Sequence, residues 1–381
     1  MPSENPTQLQ RAREWVNRSL FNTPTAGAYF EHLVGGVVPS WSLLECKARV
    51  VEVIRETADT QTWVLKPSRR FRGFAAGQHV HVVVQKGGVR ETRTFSLSSS
   101  PSRWRESGTV CITVKRVPKG RVTGWMHEQL EAGDVVVLSE AAGAFTLGID
   151  PGACAYLAAG SGITPVMSHL RERVASNAPG SATLLYFANT RRDFIFGDEL
   201  QRLRERARDI SVHFVASHEP SPLPSTAGSG AHDLPQTVLA AAHVERLLAA
   251  APRQVFVCGP PAFRHLAKQL LGEAGFDRAR VVEESFGLPP VPVTEGEPVV
   301  VTFHSSDTTV RTEQAGTLLD LAEGAGLTPR SGCRAGICHT CKCTKRSGVV
   351  RNLLTGELSG PGKEDVQLCI SVPVTDVGMD L

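Results

Sequence analysis

A run of cysteines near the C-terminus constrains this 381-residue chain more than any other feature. Ser331-Gly332-Cys333-Arg334-Ala335-Gly336-Ile337-Cys338-His339-Thr340-Cys341 has the spacing C-x4-C-x2-C, and Cys369 follows within Leu368-Cys369-Ile370. Three soft thiolates in one glycine-containing loop, with a remote fourth, match the ligand pattern of a plant-type [2Fe–2S] cluster. Gly332 and Gly336 permit close approach of the backbone, whose amides tune such a cluster. Zinc is the competing metal, but its structural sites pair cysteines in two separate knuckles. His339 lies inside the loop, whereas a Rieske-type centre needs two histidines. Cys343, alternate to Cys341, reads as the start of a strand and not as a ligand. A cluster of this kind moves single electrons, so the rest of the chain must supply them.

Nine cysteines are present, and only these four have ligand spacing. Cys46, Cys111 and Cys154 stand alone among apolar neighbours and read as small buried side chains. Clustered cysteines, together with a polar segment 1–10 that lacks the apolar core of a signal peptide, point to the reducing cytoplasm. No apolar run reaches the roughly 18 residues of a transmembrane helix. A composition of 41% hydrophobic and 21% charged residues suits a globular chain of several domains. The net charge of +3, with no Lys/Arg block, gives no reason to expect nucleic acid.

Residues 1–43 read as an N-terminal extension. Leu9, Ala12, Val16 and Leu20 recur at helical spacing, which predicts a short amphipathic helix that packs across the body or docks a membrane surface or partner. Residues 44–148 read as β: short β-branched or aromatic runs at 48–54, 61–65, 79–84, 93–97, 110–115 and 135–138 are separated by Gly73, Gly77, Gly87-Gly88 and Gly133-Asp134. Close spacing with little helix, except at 124–130, predicts an antiparallel barrel. From 149 to 288 strands at 155–159, 183–188, 210–215 and 254–258 alternate with helices at 198–208 and 244–250, which predicts a doubly wound parallel α/β sheet. The Pro-, Ser- and Gly-rich stretch 219–230 reads as a surface loop, and 289–296 as an extended linker. Strands at 299–303 and 308–313 and a helix at 317–325 precede the cysteine loop. Residues 297–381 therefore read as an α+β, ferredoxin-like (β-grasp) domain.

Further motifs carry chemistry. Arg93-Thr94-Phe95-Ser96, at the end of a barrel strand, sets a forked cation, a stacking ring and a hydroxyl together, between Ala76-Gly77-Gln78-His79 and Ser98-Ser99-Ser100-Pro101. Gly120-Arg121-Val122-Thr123 places backbone amides and a hydroxyl at a helix start, an anion-binding arrangement that an ordinary turn and N-cap would also produce. Gly160-Ser161-Gly162-Ile163-Thr164-Pro165 is a glycine-rich strand-to-helix turn, where a dinucleotide pyrophosphate meets helix-terminal amides; Pro165 departs from G-x-G-x-x-G. Asn189-Thr190-Arg191-Arg192 follows the second strand of that sheet, where the adenine ribose is read. Arginine there pairs with the 2′-phosphate of NADP and an acid favours NAD. The arginines point to NADPH, and Asp193 beside them keeps NADH open.

These parts together resemble the ferredoxin-NADP reductase family fused to a C-terminal plant-type ferredoxin, as in reductase components of bacterial oxygenases and desaturases, from Cys46 onward. On that resemblance Arg93 meets the phosphate of a flavin, Phe95 stacks on its ring system, and Thr94 and Ser96 complete the motif, with the Ser96 hydroxyl near the reactive nitrogen. Gly120, Val122 and Thr123 hold the pyrophosphate, which favours FAD over FMN. Gly160, Gly162, Thr164, Pro165, Arg191 and Arg192 hold the nicotinamide nucleotide. Cys258-Gly259-Pro260 matches the family's Cys-Gly-Pro, so Cys258 lines the hydride-transfer position and joins Ser96 as a catalytic residue; Glu284-Ser285-Phe286 resembles the closing Glu-x-Phe segment. The resemblance implies electron flow from NADPH through FAD to a [2Fe–2S] cluster on Cys333, Cys338, Cys341 and Cys369, and then to an oxygenase, hydroxylase or fatty-acid desaturase. A stand-alone flavin or quinone reductase and a non-enzymatic redox sensor are the alternatives. Arg330, Arg334, Lys342, Lys345 and Arg346 surround the cysteine loop with no acid between 328 and 352. That predicts an acidic docking face on the acceptor.

Overall fold

The structure, a computed structural model, describes residues 45–86, 89–117, 120–148, 151–218, 238–286, 298–312, 316–332, 334, 336 and 339–381. The expected N-terminal helix, the Gly87-Gly88 turn, the 219–230 loop, the 289–296 linker, Cys333 and Cys338 lie outside the described residues.

Strands β1 (Cys46–Arg55), β2 (Thr60–Pro67), β3 (His79–Lys86), β4 (Val89–Ser96), β5 (Val110–Lys115) and β6 (Val135–Leu138) form one antiparallel sheet in the order β4-β3-β6-β1-β2-β5. A bridge between Leu97 and Ile112 joins its two outer edges and nearly closes a barrel. Period-two alternation builds the interior: Val80, Val82 and Val84 of β3 are buried together with Trp63 and Leu65 of β2. Helix α1 (Pro101–Ser107) was not apparent in the strand pattern; it opens on the Ser100 cap and a proline in its first turn. Helix α2 (Arg121–Gln129) buries Val122 and Met126 in the barrel core, and Trp63 Nε1 donates to the Leu130 carbonyl at 3.0 Å just beyond it. Of the three isolated cysteines, Cys111 is buried here and Cys154 in the next sheet, while Cys46 is only half-buried.

Strands β7 (Cys154–Ala159), β8 (Ala182–Ala188), β9 (Ile210–Ala216), β10 (Gln254–Cys258) and β11 (Val281–Glu284) form a parallel sheet in the order β11-β10-β7-β8-β9. Helices α3 (Ile163–Ser176) and α4 (Gly197–Arg206) share a core with Tyr156, Ala158, Leu184 and Tyr186. Helices α5 (Ala241–Leu248) and α6 (Pro261–Glu273) share another with the alternate residues Leu157, Leu185 and Phe187. The sheet is therefore covered on both faces, as a parallel sheet requires. The chain runs outward from β7 through β8 and β9 and then returns to β10. Gly160 and Cys258 thus lie at the carboxyl ends of the two strands flanking the switch point, where open α/β sheets bind ligands.

Strands β12 (Val299–Phe303), β13 (Thr308–Thr312), β14 (Lys342–Ser347), β16 (Glu364–Gln367) and β18 (Val377–Met379) form a mixed sheet in the order β13-β12-β18-β14-β16, beside a pair made by β15 (Val350–Asn352) and β17 (Ser371–Pro373). Helix α7 (Leu318–Gly324) starts at a Thr317–Asp320 capping box and lays Leu318, Leu319 and Ala322 into the sheet's core. This is the expected α+β unit. Among the described residues no helix is long and apolar enough to cross a membrane.

Candidate functional site

Helix α3 fixes the site, because it carries the glycine turn at its start and is bonded to the barrel along its length. His169 is fully buried, and its Nε2 lies 3.1 Å from the Phe145 carbonyl and 3.2 Å from that of Ala76, which assigns the proton to Nε2. Ser168 Oγ donates to the Ser99 carbonyl at 2.7 Å and accepts the Gly77 amide at 3.2 Å. Arg171 donates to the Ser98 carbonyl at 2.6 Å while paired with Glu199, and Glu172 accepts the Ser102 amide at 2.8 Å. A Cβ on Gly77 would lie 1.9 Å from the Phe145 carbonyl oxygen, so the approach admits only glycine. The serine run after the Arg93–Ser96 motif serves this junction: Ser99 Oγ also accepts the Cys111 amide at 3.0 Å, and Ser100 caps α1.

The junction brings the ends of β3, β4, β10 and β11 together. Ser96 Oγ donates to Glu284 Oε2 at 3.3 Å, and Glu284 Oε1 lies 3.1 Å from His79 Nδ1. Ser96 and His79 are buried, and His79 Nε2 has no hydrogen-bond partner among the described residues. Cys258 ends β10, fully buried; burial and then the charge of Glu284 push its thiol far up. It is a neutral wall of the site and not a nucleophile. Arg264 laces the corner, donating to the Gly259 carbonyl at 3.2 Å and Ser285 Oγ at 2.9 Å and pairing with Glu283 at 3.1 Å. Sequence reasoning gave His79 and Arg264 no role here, since the His79–Glu284 contact spans 205 residues.

Gly160 has φ +55°, and a Cβ on Gly162 would lie 2.2 Å from the Cys258 carbonyl oxygen. The β7–α3 turn and the end of β10 therefore touch backbone to backbone. No side chain caps α3, Thr164 Oγ1 donates back to the Ser161 carbonyl at 3.0 Å, and Pro165 sits in the first turn, where proline is tolerated. Arg191 and Arg192 are exposed on a 3-10 turn after β8. Asp193 is not directed at a ribose: its Oδ2 accepts the Thr190 amide at 3.0 Å and the Thr190 hydroxyl at 2.8 Å. On the barrel side no side chain among the described residues caps α2, and a Cβ on Gly120 would lie 2.5 Å from Thr123 Oγ1. The Val122 side chain faces the core, so a ligand there would meet only its backbone. Thr94 Oγ1 is bonded to His81 Nδ1 at 2.8 Å, and Phe95 is half-buried.

Cys341 and Cys369 arrive from distant segments in one buried core, and the hydrogen bond from Cys369 holds the Cys341 thiol down to about 6. Before Cys341 the described residues Arg334, Gly336 and His339 adopt left-handed backbone, with φ of 55°, 76° and 54°. Gln367 Nε2 donates to the Gly336 carbonyl at 2.9 Å, and Cys343, in β14, donates to the Asp380 carbonyl at 3.4 Å.

The chain matches family models for an oxidoreductase FAD-binding domain at 47–147, an oxidoreductase NAD-binding domain at 156–269 and a 2Fe-2S iron-sulfur cluster binding domain at 301–374. An NADPH oxidoreductase of Mycobacterium tuberculosis is 32% identical, covering 94% of this chain and 90% of the relative. This chain belongs to the ferredoxin-NADP reductase-type oxidoreductases with a C-terminal 2Fe-2S domain. The glycine betaine monooxygenase reductase subunit of Chromohalobacter salexigens is 31% identical to it over 90% of this chain and 96% of the relative. Its fold is shared by phthalate dioxygenase reductase, with a TM-score of 0.59 and 23% identity over 89% of this chain and 98% of that one. It is thus an NAD(P)H-dependent oxidoreductase that works with FAD and a [2Fe–2S] cluster.

The residues of this reductase fit those groups. Uncapped helix starts at α2 and α3, each with a glycine too crowded for a Cβ, leave amides for two pyrophosphates. Two buried thiols converge where cluster ligands are needed. The basic rim is different from the one expected. Arg334 is paired with Glu323, Lys342 with Asp365 at 3.0 Å, Lys345 with Glu364 at 3.2 Å, and Arg346 with Asp380. The acids come from outside the 328–352 window, and Lys345 is fully buried, donating to the carbonyls of Gly348, Gly360 and Gly362 at 2.7, 2.8 and 2.7 Å.

Proposed function

We propose that this chain is the NADPH-oxidising reductase of an oxygenase-type system and hands electrons singly from its cysteine loop to a separate oxygenase or hydroxylase in the cytoplasm. The observation that carries this reading is the Ser96–Glu284 hydrogen bond, which joins the end of the Arg93–Ser96 strand to the end of the nucleotide sheet. The glycine betaine monooxygenase subunit supports the oxygenase acceptor. The units are 44–148, 149–288 and 297–381, with an extension at 1–43 and a linker at 289–296. FAD held by these residues would supply the conversion of a hydride into single electrons, and a cluster on the four cysteines would supply their way out.

The protein's own residues do the rest. Arg93, Thr94 and Phe95 frame the flavin, and Gly120, Val122 and Thr123 offer amides and a hydroxyl to its pyrophosphate. Gly160, Gly162, Thr164 and Pro165 shape the amide cradle for NADPH. Cys258, Gly259 and Pro260 form a dry wall that keeps water from the nicotinamide position. Ser96 donates to Glu284, and Glu284 meets His79, so a proton set down at the serine hydroxyl has a buried path away from it. Cys333, Cys338, Cys341 and Cys369 are the cluster ligands. Arg191 and Arg192 read the 2′-phosphate: with Asp193 tied to Thr190, they line a cavity of about 840 Å³ together with Arg103 and Arg202. An acidic face on the acceptor would meet Arg330 and the exposed flanks of Lys342 and Arg346, with a modest dependence of transfer on salt because both flanks are already paired.

Anaerobic reduction tests the reading. NADPH should bleach the flavin and then produce the paramagnetic signal of a reduced cluster. The Arg191→Ala/Arg192→Ala double variant should raise the KM for NADPH at least tenfold and leave that for NADH unchanged. Equal KM values for both nucleotides, unmoved by the substitutions, refute the NADPH preference. Removal of 297–381 should abolish oxygenase turnover; turnover that survives it replaces this reading with a stand-alone flavin reductase.

A further inference from the structure

The barrel sends an acid into the cavity that Arg191 and Arg192 line. Glu56, immediately beyond the end of β1, stands on its wall beside Arg103, Arg171 and Glu199. Its Oε1 accepts the Thr62 hydroxyl at 2.6 Å, Thr62 Oγ1 lies 2.7 Å from Thr113 Oγ1, and Thr113 Oγ1 lies 2.8 Å from Ser98 Oγ. Thr62, Thr113 and Ser98 are all buried. A hydroxyl has one proton to donate, so the bond to Glu56 sets the direction of the row: Ser98 donates to Thr113, Thr113 to Thr62, and Thr62 to the carboxylate. The Cys111 carbonyl, 3.3 Å from Ser98 Oγ, already holds the Ser98 amide at 2.8 Å. Burial raises the pKa of Glu56, while the Thr62 bond and the charge of Arg171 lower it. The other acids on this wall are differently placed. Glu199 is held by Arg171 in bonds of 2.9 and 2.6 Å, and Glu106 and Asp198 are exposed. Glu56 is half-buried and anchored through hydroxyls.

We propose that Glu56 is a specificity-determining residue: its charge, fixed among the arginines of this cavity, weakens their hold on a 2′-phosphate and narrows the preference for NADPH over NADH. This rests on the nucleotide reading proposed above. Asp193 is the acid that the sequence sets beside Arg191 and Arg192, but it is turned to Thr190. The acid that tempers the arginines arrives instead from the barrel. A 2′-phosphate brings about two negative charges into the cavity at neutral pH, and the 2′-hydroxyl of NADH brings none. Repulsion by Glu56 therefore acts on NADPH alone. One like charge across a partly solvated cavity of this size changes affinity by about fivefold. Glu106 and Asp198 stand in water, which screens them. The buried row behind Glu56 gives its carboxyl group a fixed place, which an acid on an open surface lacks.

The test uses the full-length, cofactor-loaded chain at about pH 8 with Glu56→Gln, whose amide oxygen still accepts the Thr62 hydroxyl, and with Glu106→Gln. Calorimetric titration with adenosine 2′,5′-bisphosphate and with 5′-AMP measures the cavity without turnover. The ratio of the two affinities should rise about fivefold in Glu56→Gln in favour of the bisphosphate, and stay within twofold of wild type in Glu106→Gln. The NADPH-to-NADH ratio of kcat/KM for flavin reduction should rise by the same factor in Glu56→Gln, through KM and not kcat. An unmoved ratio overturns the proposal. So does an equal change for both ligands, which marks a merely structural role, or an equal rise in Glu106→Gln, which marks net charge alone. Wild-type protein that binds the bisphosphate and 5′-AMP equally, with Arg191→Ala/Arg192→Ala binding them no differently, sinks the NADPH reading itself; none of the Glu56 outcomes does that.

Discussion

Acidification should separate the barrel from the nucleotide sheet through one residue, His169. Its ring lies fully buried between Phe145 and Tyr156, with Nε2 on two carbonyls and Nδ1 without a partner among the described residues. A proton on Nδ1 would be a buried cation with no acceptor, and burial holds the ring's pKa down from 6.5 to about 4. The unfolded chain takes up this proton as the pH falls through 6.5, and the folded chain only near 4. The stability linked to the neutral ring is therefore complete above 6.5, declines below it and is gone once the pH has passed through about 4. At about 1.4 kcal/mol per tenfold difference in proton affinity, the whole effect is on the order of 3 kcal/mol, of which about 2 kcal/mol should be lost by about pH 5. His81, His127 and His213 are also held low by burial, so the wild type alone does not isolate His169. Urea unfolding of wild type and His169→Gln at about pH 7.5 and 5 does isolate it. Glutamine keeps one donor toward the carbonyls and does not titrate. Wild type should lose about 2 kcal/mol more than the variant between the two pH values. Equal losses would refute the linkage.

Three further outcomes follow from the geometry. Gly162→Ala drives a methyl to 2.2 Å from the Cys258 carbonyl oxygen, so the turn must shift; NADPH reduction of the flavin should fall at least tenfold while tightly bound FAD, measured after gel filtration, stays stoichiometric. Ser96→Ala removes the hydroxyl that meets Glu284, and flavin reduction should slow by about 10²-fold with little change in KM for NADPH, as expected for a group acting at the reacting atoms. Lys345→Met leaves three carbonyls without their ammonium donor, and thermal unfolding of the cluster-bearing unit should show a loss of about 3–5 kcal/mol.

Local periodicity carried much of the fold into the sequence. The strands at 110–115, 135–138, 254–258 and 299–303 coincide with β5, β6, β10 and β12 because each is a β-branched run closed by a turn residue. Helices α1 and α6 escaped because each begins at a proline, Pro101 and Pro261, which reads as a break when the cap before it goes unnoticed. The cysteine spacing and the glycine turns are local and were legible. The Ser96–Glu284–His79 contact was not, since no pattern within one segment reports a partner 188 or 205 residues away. The pairing of Arg334, Lys342, Lys345 and Arg346 in the basic rim was hidden for the same reason. Glu323 on helix α7, Glu364 and Asp365 on β16, and Asp380 just after β18 all lie outside the window from 328 to 352, so that window counted cations without their partners.

The two junctions of the barrel differ in a way that suits the two transfers they serve. Against α3 the barrel is joined at its centre by neutral, fully buried bonds of Ser168 and His169, flanked by the charged contacts of Arg171 and Glu172, and Gly77 leaves no space even for a methyl group. A hydride moves only between atoms in contact, and an error of about 1 Å costs orders of magnitude in rate, so this junction has to be rigid. Against the cysteine loop the barrel offers the half-buried Arg93 of β4, which reaches the Gly332 carbonyl at 3.4 Å. Such bonds contribute little each in water and are weakened by salt. A single electron crosses a gap without atomic contact, so this junction can be thin without losing the transfer. A thin junction is also one that an acceptor's own contacts could replace, which a contact as dry as that around His169 would forbid. Stiffening it should therefore speed reduction of the cluster by NADPH and slow its oxidation by the partner protein. A variant that accelerated both steps would show that the two steps do not compete for this junction.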